Sequence, residues 1–108
     1  MPDDELAGVI EEVVRRIVGV SDPQRIILFG SHARGDCGPD SDLDILVVID
    51  SDLDFVTRTA DLARQLRAGV DLDLLAYTPQ EMECISHRPF IQHVLKIGKV
   101  VYERRSTP

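Results

Sequence analysis

Apolar residues recur along this chain in two rhythms, one helical and one of strict alternation. Leu6, Val9, Ile10, Val13, Val14 and Ile17 fall at the i, i+3, i+4, i+7 spacing of a single helix face. Asp3 or Asp4 can cap the start of that helix, and Gly19 stands where it should stop. Ser21-Asp22-Pro23 then predicts a turn, and Arg25 to Phe29 a short buried strand. After a turn at Gly30-Ser31, a brief helix or loop runs to Pro39. Leu43, Ile45, Val47 and Ile49 alternate with Asp42, Asp44, Leu46 and Val48, which is the period of a strand.

Phe55, Thr59, Leu62, Ala63 and Leu66 return to the helical spacing, and Gly69 ends that second long helix. Asp71 to Tyr77 predicts a third strand. Thr78-Pro79-Gln80-Glu81 places a capping threonine, a proline at the first helical position and a capping-box glutamate in order. A short helix follows, then another from about Pro89 to Ile97. Gly98 turns the chain into a last strand, Lys99 to Glu103, ahead of a frayed tail, Arg104 to Pro108. Helices alternating with strands predict an α/β or α+β layered domain, a small mixed sheet with helices packed against it. At 108 residues the natural expectation is one domain over residues 1–108.

Composition narrows the function classes. The formal charge of −7 argues against direct binding to a nucleic-acid backbone, which calls for clustered Lys and Arg. It leaves room for a nucleotide, whose phosphates arrive with Mg²⁺, and an acidic surface suits a basic protein partner. No apolar stretch approaches the ~18 residues of a membrane span, and the acidic start Met1-Pro2-Asp3-Asp4-Glu5 is unlike a signal peptide. Cys37 and Cys84 form neither a disulfide framework nor a metal motif, as expected of reduced thiols in a cytoplasmic protein.

The candidate chemistry lies in residues 29–48. Asp-x-Asp by itself is weak here, because the chain has it five times, mostly as the caps and loops of an acidic protein. Two pairs stand apart by their apolar flanks. Leu43 and Ile45 put Asp42 and Asp44 on one strand face, and Leu72, Leu74 and Leu75 do the same for Asp71 and Asp73. Like charges side by side on a strand are destabilising unless a cation relieves them. Gly30-Ser31 supplies the complementary half: without a Cβ the backbone can approach a phosphate closely, and the Ser31 hydroxyl and amide can donate to its oxygens. Arg34 brings a planar donor fork suited to phosphate, unless it pairs instead with Asp36 or Asp40. His32, a lone loop histidine, is given no role.

Taken together, Gly-Ser, ten residues, Asp-x-Asp and a third aspartate on a later strand resemble the nucleotidyltransferase superfamily that includes DNA polymerase β. The likeness is closest to the minimal nucleotidyltransferases (MNT) and covers nearly the whole chain. It takes in the Gly-Ser-x-Ala-Arg-Gly turn, Ser-Asp-x-Asp opening a strand, the strand before Thr-Pro-x-Glu, and Ile97 to Glu103, which looks like that family's final hairpin. The resemblance implies a nucleotidyltransferase fold in which Gly30 and Ser31 hold a triphosphate and Arg34 neutralises part of it. Asp42 and Asp44 would bind two Mg²⁺ ions. Asp73 fits the family spacing better than Asp71 as the third metal-binding carboxylate, beside the attacking hydroxyl. The implied reaction is in-line attack of a hydroxyl on the α-phosphorus of ATP, with pyrophosphate leaving.

A chain of this size has little room for an acceptor-binding domain, so acceptor specificity is expected from a second protein. The resemblance points to MNT antitoxins, which pair with helical HEPN ribonuclease toxins and transfer AMP from ATP to a toxin tyrosine. The first expectation is therefore a protein adenylyltransferase acting as an antitoxin in a hetero-oligomer. The alternatives are a binding module that neutralises a helical partner by contact alone, and nucleotidyl transfer to a small molecule.

Overall fold

The computed structural model describes residues 3–30, 43–66 and 72–104. Helix α1 spans Asp3–Val20, β1 Arg25–Phe29, β2 Leu43–Val48, α2 Phe55–Leu66, β3 Leu72–Tyr77, α3 Pro79–Ile85, α4 Pro89–Ile97 and β4 Lys99–Glu103. The strands form one sheet in the order β3-β2-β1-β4. β1 runs antiparallel to both β2 and β4, whereas β2 and β3 are parallel, so α2 is the crossover between them.

Both faces of the sheet are covered, which explains why β1 and β2 read as nearly continuous apolar runs. On one face Ile26, Leu28, Ile45, Val47, Leu74 and Ala76 pack with Val13 and Ile17 of α1 and Leu62 and Leu66 of α2. On the other, Ile27, Phe29, Leu46 and Val48 pack with Ile85 of α3 and Ile91 and Val94 of α4. The mixed α/β architecture expected from the alternation is the one observed. Among the described residues no helix is long and apolar enough to cross a membrane.

Several local expectations are met in detail. Glu81 N–H donates to Thr78 Oγ1 at 3.1 Å and Thr78 N–H to Glu81 Oε1 at 3.0 Å, completing the capping box of α3 with Pro79 in its first turn. Of the apolar stripe Phe90, Ile91, Val94 and Leu95 on α4, expected to be core, only Ile91 and Val94 are buried, while Phe90 and Leu95 stay exposed. Three details differ. α1 continues through Gly19 to Val20, because Ser21 N–H still donates to Ile17 carbonyl at 3.0 Å, and the chain leaves the helix only at the turn before Pro23. β2 ends at Val48, one residue early, although Ile49 N–H still reaches the Tyr77 carbonyl at 2.9 Å. The closing segment is not a hairpin on itself: β4 pairs with β1, and Gly98 makes the corner where a Cβ would press on the Val94 carbonyl and on Ile27.

Arg58 is the departure that local patterning did not anticipate. It occupies the buried register of α2, three residues after Phe55 and four before Leu62, and is buried itself. Its guanidinium donates to the Ala76 carbonyl at 2.7 Å, the Leu53 carbonyl at 2.6 Å, and both oxygens of Glu81 at 2.7 and 3.2 Å. Arg58 thereby fastens α2 to the end of β3 and to the capping box of α3. The guanidinium beside Glu81 holds that carboxyl below its ordinary range.

Candidate active site

Side chains alternate along a strand, so Asp44, Leu46 and Val48 share one face of β2, and Asp73, Leu75 and Tyr77 share one face of β3. The parallel register sets Asp44 directly beside Asp73 and Leu46 beside Leu75. The antiparallel register sets Phe29 on the other side of Asp44. The row Asp73–Asp44–Phe29 therefore crosses three strands on the face that packs under α3 and α4. It lies where β2 and β3 begin and β1 ends. Neighbouring strands lie about 4.8 Å apart, so the two carboxylates rise side by side from backbone held in a hydrogen-bonded ladder.

Gly30 follows Phe29 at that same end with φ +77°, a conformation that side chains rarely adopt. A Cβ at this position would overlap Asp44 Oδ2 and lie 3.0 Å from Asp44 Cγ. The Asp44 carboxylate thus rests in the space that the missing side chain leaves. Glycine at position 30 does two things at once: it takes the left-handed turn and makes room for the carboxylate.

An open cleft of about 490 Å³ lies over this row, lined by Phe29, Gly30, Asp44, Asp73, Leu74, Leu75, Phe90 and His93. Its volume is in the range of small-molecule sites. One wall is acidic, from the strand ends. The opposite wall is apolar and aromatic, from α4, where Phe90 meets Phe29 edge to face with centroids 5.9 Å apart.

Of the residues expected at the site, Gly30, Asp44 and Asp73 are brought together around this one cleft. Ser31, Arg34 and Asp42 lie outside the described residues, as does Asp71. Two lining residues escaped sequence reasoning: Phe90 is legible only as one member of an apolar stripe, and His93 carries no motif. The sole signal for them was their i, i+3 spacing on one flank of α4, and that spacing does not say which strand they would face.

The sequence profile of the nucleotidyltransferase domain matches residues 8–104 of the chain. A protein of Methanocaldococcus jannaschii named "Putative protein adenylyltransferase MJ0604" is 38% identical over 81 residues, which cover 73% of this chain and 78% of that protein. The crystal structure of a "putative nucleotidyltransferase" from Sulfolobus solfataricus has the same fold, with a TM-score of 0.64 at 22% identity over 90% of this chain and 79% of that one. A toxin–antitoxin crystal structure with AMP-PNP contains a chain similar at a TM-score of 0.60 and 26% identity, over 88% of this chain and 74% of that one.

Proposed function

This chain belongs to the nucleotidyltransferase domain family, and from that membership we propose that it transfers AMP from ATP to a hydroxyl of a partner protein. The acceptor in this reading is a tyrosine of a helical HEPN ribonuclease toxin, which the chain neutralises as its antitoxin in the cytoplasm. The observation that carries the reading is the pairing of Asp44 with Asp73 across β2 and β3, at the strand end where Gly30 leaves β1. Support for the substrate and partner comes from the relative named for protein adenylylation and from the toxin–antitoxin structure with AMP-PNP.

Paired carboxylates against a small-residue turn are a poor arrangement for stability and a good one for hard cations, whose preferred ligands are oxygens. Asp44 and Asp73, with Asp42, would hold two Mg²⁺ ions. When bound, the ions supply positive charge that favours the ionised acceptor hydroxyl and offsets the charge of departing pyrophosphate. The remaining work belongs to the chain. The backbone at Gly30 and Ser31 would donate to the triphosphate, and Arg34 would grip it through a charge-assisted fork. Asp73, exposed at the open side of the pair, would take the proton of the acceptor hydroxyl as its oxygen bonds to the α-phosphorus and the bond to pyrophosphate breaks. The new phosphodiester places negative charge on the toxin, which disfavours RNA binding there.

The test is transfer of label from α-labelled ATP to the toxin in the presence of Mg²⁺. Asp44→Asn and Asp73→Asn should each lower the rate by at least ~10²–10³-fold, the cost of losing one stabiliser of transition-state charge, with the fold retained by circular dichroism. Near-wild-type transfer by folded Asp44→Asn protein overturns the assignment. Stoichiometric inhibition of the toxin without ATP would instead favour a module that works by contact alone.

A further inference from the structure

The metal-and-phosphate reading accounts for only one wall of the cleft. The facing wall is built by Phe90 and His93, one helical turn apart on the same flank of α4, across from Leu75 on the Asp73 face of β3. Phe90 sits in the first turn of a helix whose Ile91 and Val94 are fully buried, yet it remains 51% exposed even with its edge contact to Phe29. A large aromatic ring left half-bare inside a cleft, above paired carboxylates, has a surface available for stacking. The same wall is free of acidic residues. From Cys84 to Tyr102 the chain has no Asp or Glu, in a protein of net charge −7, while Arg88, His93, Lys96 and Lys99 lie in that stretch. A polyanionic ligand held by the strand ends would meet no repulsion from α4.

We propose that Phe90 and His93 form the seat for the base of the incoming nucleotide, with the Phe90 ring stacked on the base and the His93 imidazole at its edge. This assignment rests on the nucleotidyl-transfer reading of Asp44 and Asp73 and adds to it the residues that recognise the nucleoside. A base is favoured over an acceptor side chain because the aromatic wall and the carboxylates line one continuous open cleft of about 490 Å³. A single small molecule with a flat apolar head, and an anionic tail whose charge Mg²⁺ would offset beside the carboxylates, matches that lining from end to end. Stacking on one aromatic side chain tolerates any base, so Phe90 would contribute affinity, and base preference would come from hydrogen bonds at the edge that His93 faces.

The experiment measures binding of Mg–ATP and of Mg–tripolyphosphate, which lacks the nucleoside, to the same proteins without acceptor. Phe90→Ala should raise the Kd for ATP by roughly 5- to 140-fold, the equivalent of ~1–3 kcal/mol of stacking, and leave tripolyphosphate unchanged. Phe90→Tyr should restore ATP affinity, and His93→Ala should narrow the difference in affinity between ATP and the other triphosphates. Asp44→Asn should weaken both ligands. Thermal unfolding of Phe90→Ala separates a folding defect from a binding one, and a structural defect would weaken both ligands alike. Unchanged ATP affinity in Phe90→Ala, with both ligands still weakened by Asp44→Asn, overturns the base seat and leaves the transferase reading standing. If Phe90→Ala instead raises only the KM for the acceptor protein, the ring seats the acceptor and the inference is wrong. Failure of Asp44→Asn to affect either ligand would count against the transferase reading itself.

Discussion

Gly30→Ala is the substitution whose consequences the structure sets most narrowly. Two costs arise from one methyl group. At φ +77° an alanine enters left-handed backbone, at about 1–2 kcal/mol relative to its preferred regions. For a domain near this size each kcal/mol is worth ~4–8 °C, so Tm should fall by roughly 4–16 °C. The methyl would also overlap Asp44 Oδ2, with Asp44 Cγ at 3.0 Å and Asp44 Cβ at 3.3 Å, so the carboxylate must rotate aside. A displacement of about 1 Å in a positioned catalytic group costs ~10²-fold, and kcat/KM for AMP transfer should drop by that order. Gly30→Asn separates the two costs. Asparagine tolerates the left-handed region better than alanine but keeps the Cβ, so part of the lost Tm should return while transfer stays impaired. The assays are thermal unfolding and initial rates of label transfer at saturating Mg²⁺. Gly30→Ala protein with wild-type kcat/KM would refute the argument that this glycine exists to admit the Asp44 carboxylate.

Two further outcomes concern the Arg58–Glu81 lock. Arg58→Ala strips partners from Glu81 and from the Ala76 and Leu53 carbonyls. Removing one member of a buried pair typically costs ~3–5 kcal/mol, but the Glu81 side chain is 37% exposed and can recover water, so about 2–3 kcal/mol is expected in denaturant unfolding. A loss below ~0.5 kcal/mol would show that the pair is an ordinary surface bridge. The carboxyl of Glu81 is held below its ordinary value of 4.5, chiefly by hydrogen bonding to Arg58, so its contribution is present above pH 4.5 and fades as pH falls through the lowered folded value. The stability difference between wild type and Glu81→Gln should accordingly shrink on acidification below pH 4.5; a difference that grew would reverse the sign of the linkage.

Much of this protein was written in local order. The 3.6-residue stripe of Val13 and Ile17, the alternation around Ile45 and Val47, and the cap at Thr78 with Glu81 each specify an element from neighbours within a few residues. Such signals need no knowledge of the rest of the fold, since helix faces, strand faces and caps are set by backbone periodicity and nearby hydrogen bonds. The spacing from Gly30 to Asp44, with a further aspartate on a later strand, likewise made the candidate site legible as a set of residue types. The chain's order alone could not say that β2 and β3 lie parallel and in register, which is what sets Asp73 beside Asp44 rather than a strand away. Nor could it say that Arg58, in a position patterned for a hydrophobe, would find Glu81 some twenty residues on, or that Phe90 and His93 would face the carboxylates. Those are choices of register and packing between distant segments. They were settled only when both faces of the sheet were covered and every strand had a neighbour, because burial rewards the assembled whole and no single segment can bury itself.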